Sequence, residues 1–157
     1  MTTLHVHLDC HQATFSDHDS GAEYVVPMGS ESLAAMIAGD PPLPEELTNA
    51  IGMFVDHMED VTREVPSAAF ADTIHVRGQG LQALADTEAG HARTLPATLS
   101  RDELEDVFRT LATEAVADRL HNPGLPAAEV HHILGVCCAT VALVRALQAP
   151  GLVAVPA

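Results

Sequence analysis

Between Ala127 and Leu147 the chain carries Val130, Ile133, Leu134, Val136, Cys137, Val141, Leu143, Val144 and Leu147. At helical spacing these put apolar groups on nearly every side, so the segment has no polar face to offer water and predicts a helix inside the core. Gly135 and Ala139 leave places where a neighbour can approach closely. Asn122-Pro123-Gly124-Leu125-Pro126 precedes the helix and Pro150-Gly151 follows it, which marks both ends. Leu152 to Val155 then reads as a short buried strand.

The rest of the chain supplies what surrounds that helix. Thr3 to Asp9 alternates Leu4, Val6 and Leu8 with His5, His7 and Asp9, the period of a strand with one buried face. Ala13–Ser16 and Ala22–Pro27 read as two more strands around the turn Asp17-His18-Asp19-Ser20-Gly21. Ser30 is expected to cap a brief helix reaching Ile37. Leu47, Ile51, Phe54, Met58, Val61 and Val65 define one long amphipathic helix from Pro44 to about Val65. Thr73 to Val76 reads as a buried strand that runs through Arg77-Gly78-Gln79-Gly80 into a helix over Leu81–Asp86. Residues 87 to 99 read as irregular. Ser100 and Glu103 form a capping box for a helix bearing Leu104, Val107, Phe108 and Leu111, and Ala115 to Leu120 adds another helical turn or two. The order predicts one layered α/β domain over residues 1–157 with a mixed sheet of about five strands.

Composition narrows the partners. The 157 residues include 22 acids against 7 bases, all of them arginine, for a net charge of −15. Such a surface repels nucleic acid and anionic membrane over most of its area, so neither is an expected partner. The three cysteines, with no leader in the sequence, fit reduced thiols in a cytoplasmic protein. The apolar run from Ile133 to Val144 is too short to span a bilayer and meets Arg145, so no membrane segment is expected.

Several stretches together resemble a known family. Thr98-Leu99-Ser100-Arg101-Asp102-Glu103-Leu104, Ala117-Asp118-Arg119, Pro123-Gly124-Leu125-Pro126 and the apolar helix around Gly135 resemble the second domain of the exopolyphosphatase and guanosine pentaphosphate phosphohydrolase (Ppx/GppA) family. That family sits in the superfamily of actin, the sugar kinases and the heat-shock chaperone ATPases. Tyr24–Met28 with Ser32-Leu33, and Asp40 to Leu47, extend the likeness upstream. It implies one ribonuclease-H-like half of a two-domain, actin-like enzyme.

The resemblance also marks departures. Where the family has a glycine-rich phosphate loop in its first hairpin, this chain has Asp9-Cys10-His11-Gln12-Ala13-Thr14, with no glycine. Side chains fill the space where bare backbone amides would wrap a phosphate. Arg77-Gly78-Gln79-Gly80-Leu81 keeps glycines but loses the family's threonines, and a family arginine near the core helix falls on or near Ala128. The companion domain, which supplies the catalytic carboxylates, is expected to be absent. A degenerate phosphate or nucleotide site is therefore expected at Asp9, Arg77, Gly78, Gln79 and Gly80, and no catalytic residue is assigned.

Two further patterns bear on ligands. His5, His7, Asp9 and His11 alternate along the first strand, with His18 near the next hairpin end, and imidazoles with a carboxylate are ordinary ligands of zinc; the rival reading is plain alternation, with the histidines facing solvent or an interface. No cofactor is expected, with magnesium or zinc the ions such positions would take. Glu129 with His131 and His132 invites the same thought, against one histidine packed and the other wet. The implied function is a non-catalytic, acidic, cytoplasmic relative of the phosphatases, its cleft face covered by self-association or by a protein partner. The alternatives are a homodimeric phosphate or nucleotide sensor or residual phosphatase with a shared cleft, and a small metal-binding protein.

Overall fold

The alternating strands and the apolar helix assemble as one α/β layer pair in the computed structural model, which describes all 157 residues. Strands β1 (Thr3–Leu8), β2 (Ala13–Ser16), β3 (Glu23–Val26), β4 (Thr73–Arg77), β5 (Ala97–Ser100) and β6 (Gly151–Ala154) form a single sheet in the order β3-β2-β1-β4-β6-β5. The central strands β1, β4 and β6 are parallel, while β2 and β3 on one edge and β5 on the other run antiparallel to their neighbours.

The helices are α1 (Ser30–Ala34), α2 (Pro44–Asp56), α3 (Met58–Glu64), α4 (Leu81–Ala89), α5 (Arg101–Ala112), α6 (Val116–Arg119) and α7 (His132–Ala146). Every residue of α7 from His132 to Val144 is buried, and α1, α2, α4 and α5 all pack against it. The inward set Leu4, Val6, Leu8, Ile74, Val76, Leu152 and Ala154 joins it in one core. Gly135 permits the closest crossing, because a methyl group there would run into the backbone of Ser30 and Ala34 in α1.

Four expectations need correction. The sheet has six strands, not five, because part of the stretch read as irregular is the edge strand β5, whose inward residues are only Ala97 and Leu99. Two apolar positions after Pro96 give too short an alternation to register. The long helix is broken at His57 into α2 and α3. Ser30 is the first residue of α1 and Gly29 occupies the cap, since the serine hydroxyl is turned to α7. The regular part of the core helix begins at His132; Ala127–Glu129 is a 3-10 turn following Pro126. The Ser100–Glu103 capping box forms as expected, with Ser100 Oγ accepting from Glu103 N–H at 3.1 Å and Glu103 Oε1 accepting from Ser100 N–H at 2.9 Å.

The other face of the sheet is open. Along β1, β4 and β6 the residues between the buried ones are half-buried or exposed: His5, His7, His75, Arg77 and Val153. Parallel strands are usually covered on both faces and read as continuous apolar runs. Here they alternate, and the outward positions carry ionisable groups.

Candidate functional site

In an open α/β sheet, ligands are expected beyond the carboxyl ends of the parallel strands. At the end of β1 the chain turns through Asp9–Gln12, closed by Asp9 N–H donating to Gln12 O at 2.9 Å. Its carbonyls face α1: Asp9 O accepts from Ser30 N–H at 3.0 Å, and Cys10 O accepts from Glu31 N–H at 2.8 Å and Ser32 N–H at 3.2 Å. The first free amides of α1 are thus already bonded within the chain. At the end of β4, Gly78 and Gly80 have φ of +143° and +96°, which explains glycine at both positions. A methyl on Gly78 would strike Leu8 O, and one on Gly80 would meet Val136 and the His132 ring. Gly29 is held in the same way against Asp9 O and the following loop. These glycines serve close backbone packing, and the Cys10 thiol donates to Gln79 Oε1 at 3.3 Å between the two turns.

Beneath the turns runs a buried polar chain. Ser30 Oγ lies 2.6 Å from His132 Nε2, and His132 Nδ1 lies 2.7 Å from Glu129 Oε2. With the carboxylate accepting from Nδ1–H, a neutral imidazole presents Nε2 as acceptor for the serine O–H. This is the bonding order of a serine hydrolase triad. Ser30 is 0% exposed and His132 7% exposed, however, so no substrate carbonyl can reach the hydroxyl. The chain locks α1 to α7. His131 is exposed and reaches Ala34 O at 3.0 Å, so of the histidine pair one is packed and the other faces water.

The candidate residues divide between these settings. Asp9 pairs with His7, Oδ1 to Nε2 at 3.2 Å, both side chains more than two-fifths exposed. Arg77 is exposed at the end of β4, beside His7 in register. His11 is exposed on the turn. His5 lies against two histidines absent from the candidate set: its ring stacks on His18 with centroids 3.7 Å apart and planes 4° apart, and meets His75 edge-on at 5.5 Å. Burial first, then His18, His75 and Arg77, hold its imidazole below its ordinary value, with Asp17 opposing. No group of three or more histidine, cysteine, aspartate or glutamate side chains converges as metal ligands would. His18 was expected near the hairpin end beside this strand; the signal for His75 lay in an outward position of β4, which sequence reading had not joined to β1.

The thiols of Cys137 and Cys138 are buried in α7; burial pushes Cys138 up to about 12 and Cys137 higher still. Neither is a nucleophile near neutral pH.

The fold defines a class. The chain superposes over 99% of its length on a Ppx/GppA phosphatase of Aquifex aeolicus, type II variant, with a TM-score of 0.84 and 16% identity, covering 53% of that chain. An exopolyphosphatase-like protein matches with a TM-score of 0.85 and 16% identity, over 99% of this chain and 55% of that one. An exopolyphosphatase of Cytophaga hutchinsonii matches with a TM-score of 0.71 and 13% identity, over 99% of this chain and 53% of that one. The domain therefore has the fold of one half of these Ppx/GppA phosphatases, and it spans about half the length of the solved structures it matches. The sequence matches no protein-family model and no curated protein. No helix is long and apolar enough to cross a membrane.

Proposed function

We propose that this domain is a non-catalytic relative of the exopolyphosphatases, working as an interaction or regulatory half-domain. The observation that carries the reading is that the first amides of α1, which face the turn after β1, are already bonded within the chain. A phosphate cradle needs free backbone amides around an open turn. Here the Asp9 and Cys10 carbonyls occupy the first amides of α1, so that helix start offers none to a ligand. The partner is a second copy or another protein, covering the side of the domain that faces a companion domain in two-domain phosphatases. Three free cysteines and an acidic surface fit a cytoplasmic setting.

The test is thermal stability with magnesium plus ATP, guanosine tetraphosphate or short polyphosphate, near pH 8. A ligand present at about 100 times its dissociation constant adds roughly 2.7 kcal/mol to the folded state, a shift of several degrees in a domain of this size. No shift is expected. A shift that disappears in Gln79→Ala would instead favour the homodimeric phosphate or nucleotide sensor with a shared cleft.

A further inference from the structure

The open sheet face carries a second, independent feature. A hollow of about 330 Å³ lies between β1, β4 and the β2–β3 hairpin, lined by His5, His7, His18, His75 and Arg77 together with Thr14 and Ser16. Strand register puts them there: His5 stands opposite His75 on one side and Ser16 on the other, and His7 opposite Arg77 and Thr14. Residues paired across strands share a face, so groups some 70 positions apart in sequence become neighbours. Four of the ten histidines of an acidic chain gather in this one place. Arg63, Arg93, Arg109 and Arg145 are each paired with a carboxylate, and Arg119 with carbonyls. Arg77, like Arg101, has no carboxylate partner although the chain has 22 acids, and of these two only Arg77 lines the hollow.

We propose that this hollow binds a small dianionic oxyanion, held by the imidazoles of His5, His18 and His75 and by the guanidinium of Arg77, and that protonation of the imidazoles switches the binding on.

The stacking geometry supplies the reason. Two rings face to face at 3.7 Å tolerate a positive charge on each of them poorly, because like charges so close repel. An anion at their edges, beside Arg77, offsets that repulsion, and so favours the protonated rings as they favour it. The hydroxyls of Thr14 and Ser16 add neutral donors. The hollow also holds negative groups that an anion must avoid: Asp17, which accepts from Asp19 N–H at 2.9 Å and Ser20 N–H at 3.4 Å and keeps its charge near His5, Glu23 exposed at the rim, and Asp9 at its margin, paired with His7. The parallel stack keeps His5 and His18 from both aiming a lone pair at one metal ion, because their rings lie flat on each other.

Sulfate and 1,2-ethanedisulfonate are suitable probes, since both keep their full charge across the range in which histidine titrates and so report only on the protein. The histidine ring-proton resonances are followed by NMR during titration with each anion at about pH 5.5 and at about pH 7.5, a window that spans the ordinary histidine value. Binding is expected to perturb His5, His18 and His75 and to weaken by about tenfold or more at the higher pH, equivalent to a linked shift of about one pKa unit. His75→Gln and Arg77→Gln should each weaken binding at the lower pH. Both are outward-facing, and a preserved melting temperature at pH 7.5 shows that they fold. Tighter binding of the disulfonate than of sulfate would mark an organic dianion as the ligand, and the reverse a tetrahedral ion. Binding that is independent of pH, spectra unmoved by either anion, or variants that bind as well as the parent would each overturn the proposal. So would a preference for zinc that grows as pH rises.

Discussion

Ser30 Oγ lies 2.6 Å from His132 Nε2, joining the first residue of α1 to the first residue of α7 across 102 positions of sequence. Both residues are buried, and Glu129 holds the far side of the ring. Ser30→Ala should therefore strand a buried ring nitrogen and lower stability by about 1–3 kcal/mol. Urea unfolding checks this. A loss below about 0.3 kcal/mol would mean that the bond adds nothing net.

Two glycines on helices have opposite surroundings. At Gly135 a methyl meets the α1 backbone, which cannot yield as a flexible side chain would. Gly135→Ala should cost about 1–3 kcal/mol or more by forcing α1 and α7 apart. At Gly52, within α2, nothing lies within 4 Å of the added methyl. Gly52→Ala should stabilise by about 0.4–1 kcal/mol through helix propensity and the entropy of the unfolded chain. Equal effects of the two substitutions in a melting experiment would contradict the packing described for Gly135.

Arg119 is 1% exposed and donates to Leu111 O at 3.1 Å, Val130 O at 2.9 Å and Glu114 O at 2.8 Å. It ties the end of α5 to the turn before α7. Arg119→Met keeps most of the volume but leaves three carbonyls without their donor. Its expected cost is about 3 kcal/mol or more. Chemical denaturation that finds it neutral would show those carbonyls to be satisfied by water.

Stability should depend on pH in two separate windows. His5 is held low chiefly by burial, so the unfolded chain takes up its proton first on acidification. Stability from this source is full above about pH 6.5 and falls as pH drops from there through the lowered folded value. Glu46, Glu103 and Glu105 are held low by Ala38 N–H, Ser100 N–H and Arg145 respectively, and their contribution is lost below about pH 4.5. In chloride buffer, His5→Gln should flatten the first window and leave the second. Identical pH slopes for parent and variant between about pH 7 and pH 5 would contradict this assignment.

Much of this architecture was legible because apolar spacing and breakers coincide. Strand β1, the capping box at Ser100 and Glu103, and the buried α7 all carry their pattern within a few residues. Strand β5 did not, since two inward residues on an edge leave almost no period. The break at His57 was invisible because Phe54, Met58 and Val61 continue one apolar stripe through it. The alternation of His5 and His7 was plain and the hairpin turn set His18 near them, yet His75 was not legible, since it comes from a parallel strand that only register brings in. The glycines at 78 and 80 were visible as a turn, but their packing against Leu8 and His132 is a tertiary contact that no local pattern encodes.

The central claim is that the strand-end turns no longer handle phosphate. Its most direct test is release of orthophosphate from polyphosphate by the purified, folded chain with magnesium. The expected result is none above the blank, for the parent and for Asp9→Asn alike. Magnesium-dependent release by the parent that is lost in Asp9→Asn would contradict the account and make this domain an enzyme.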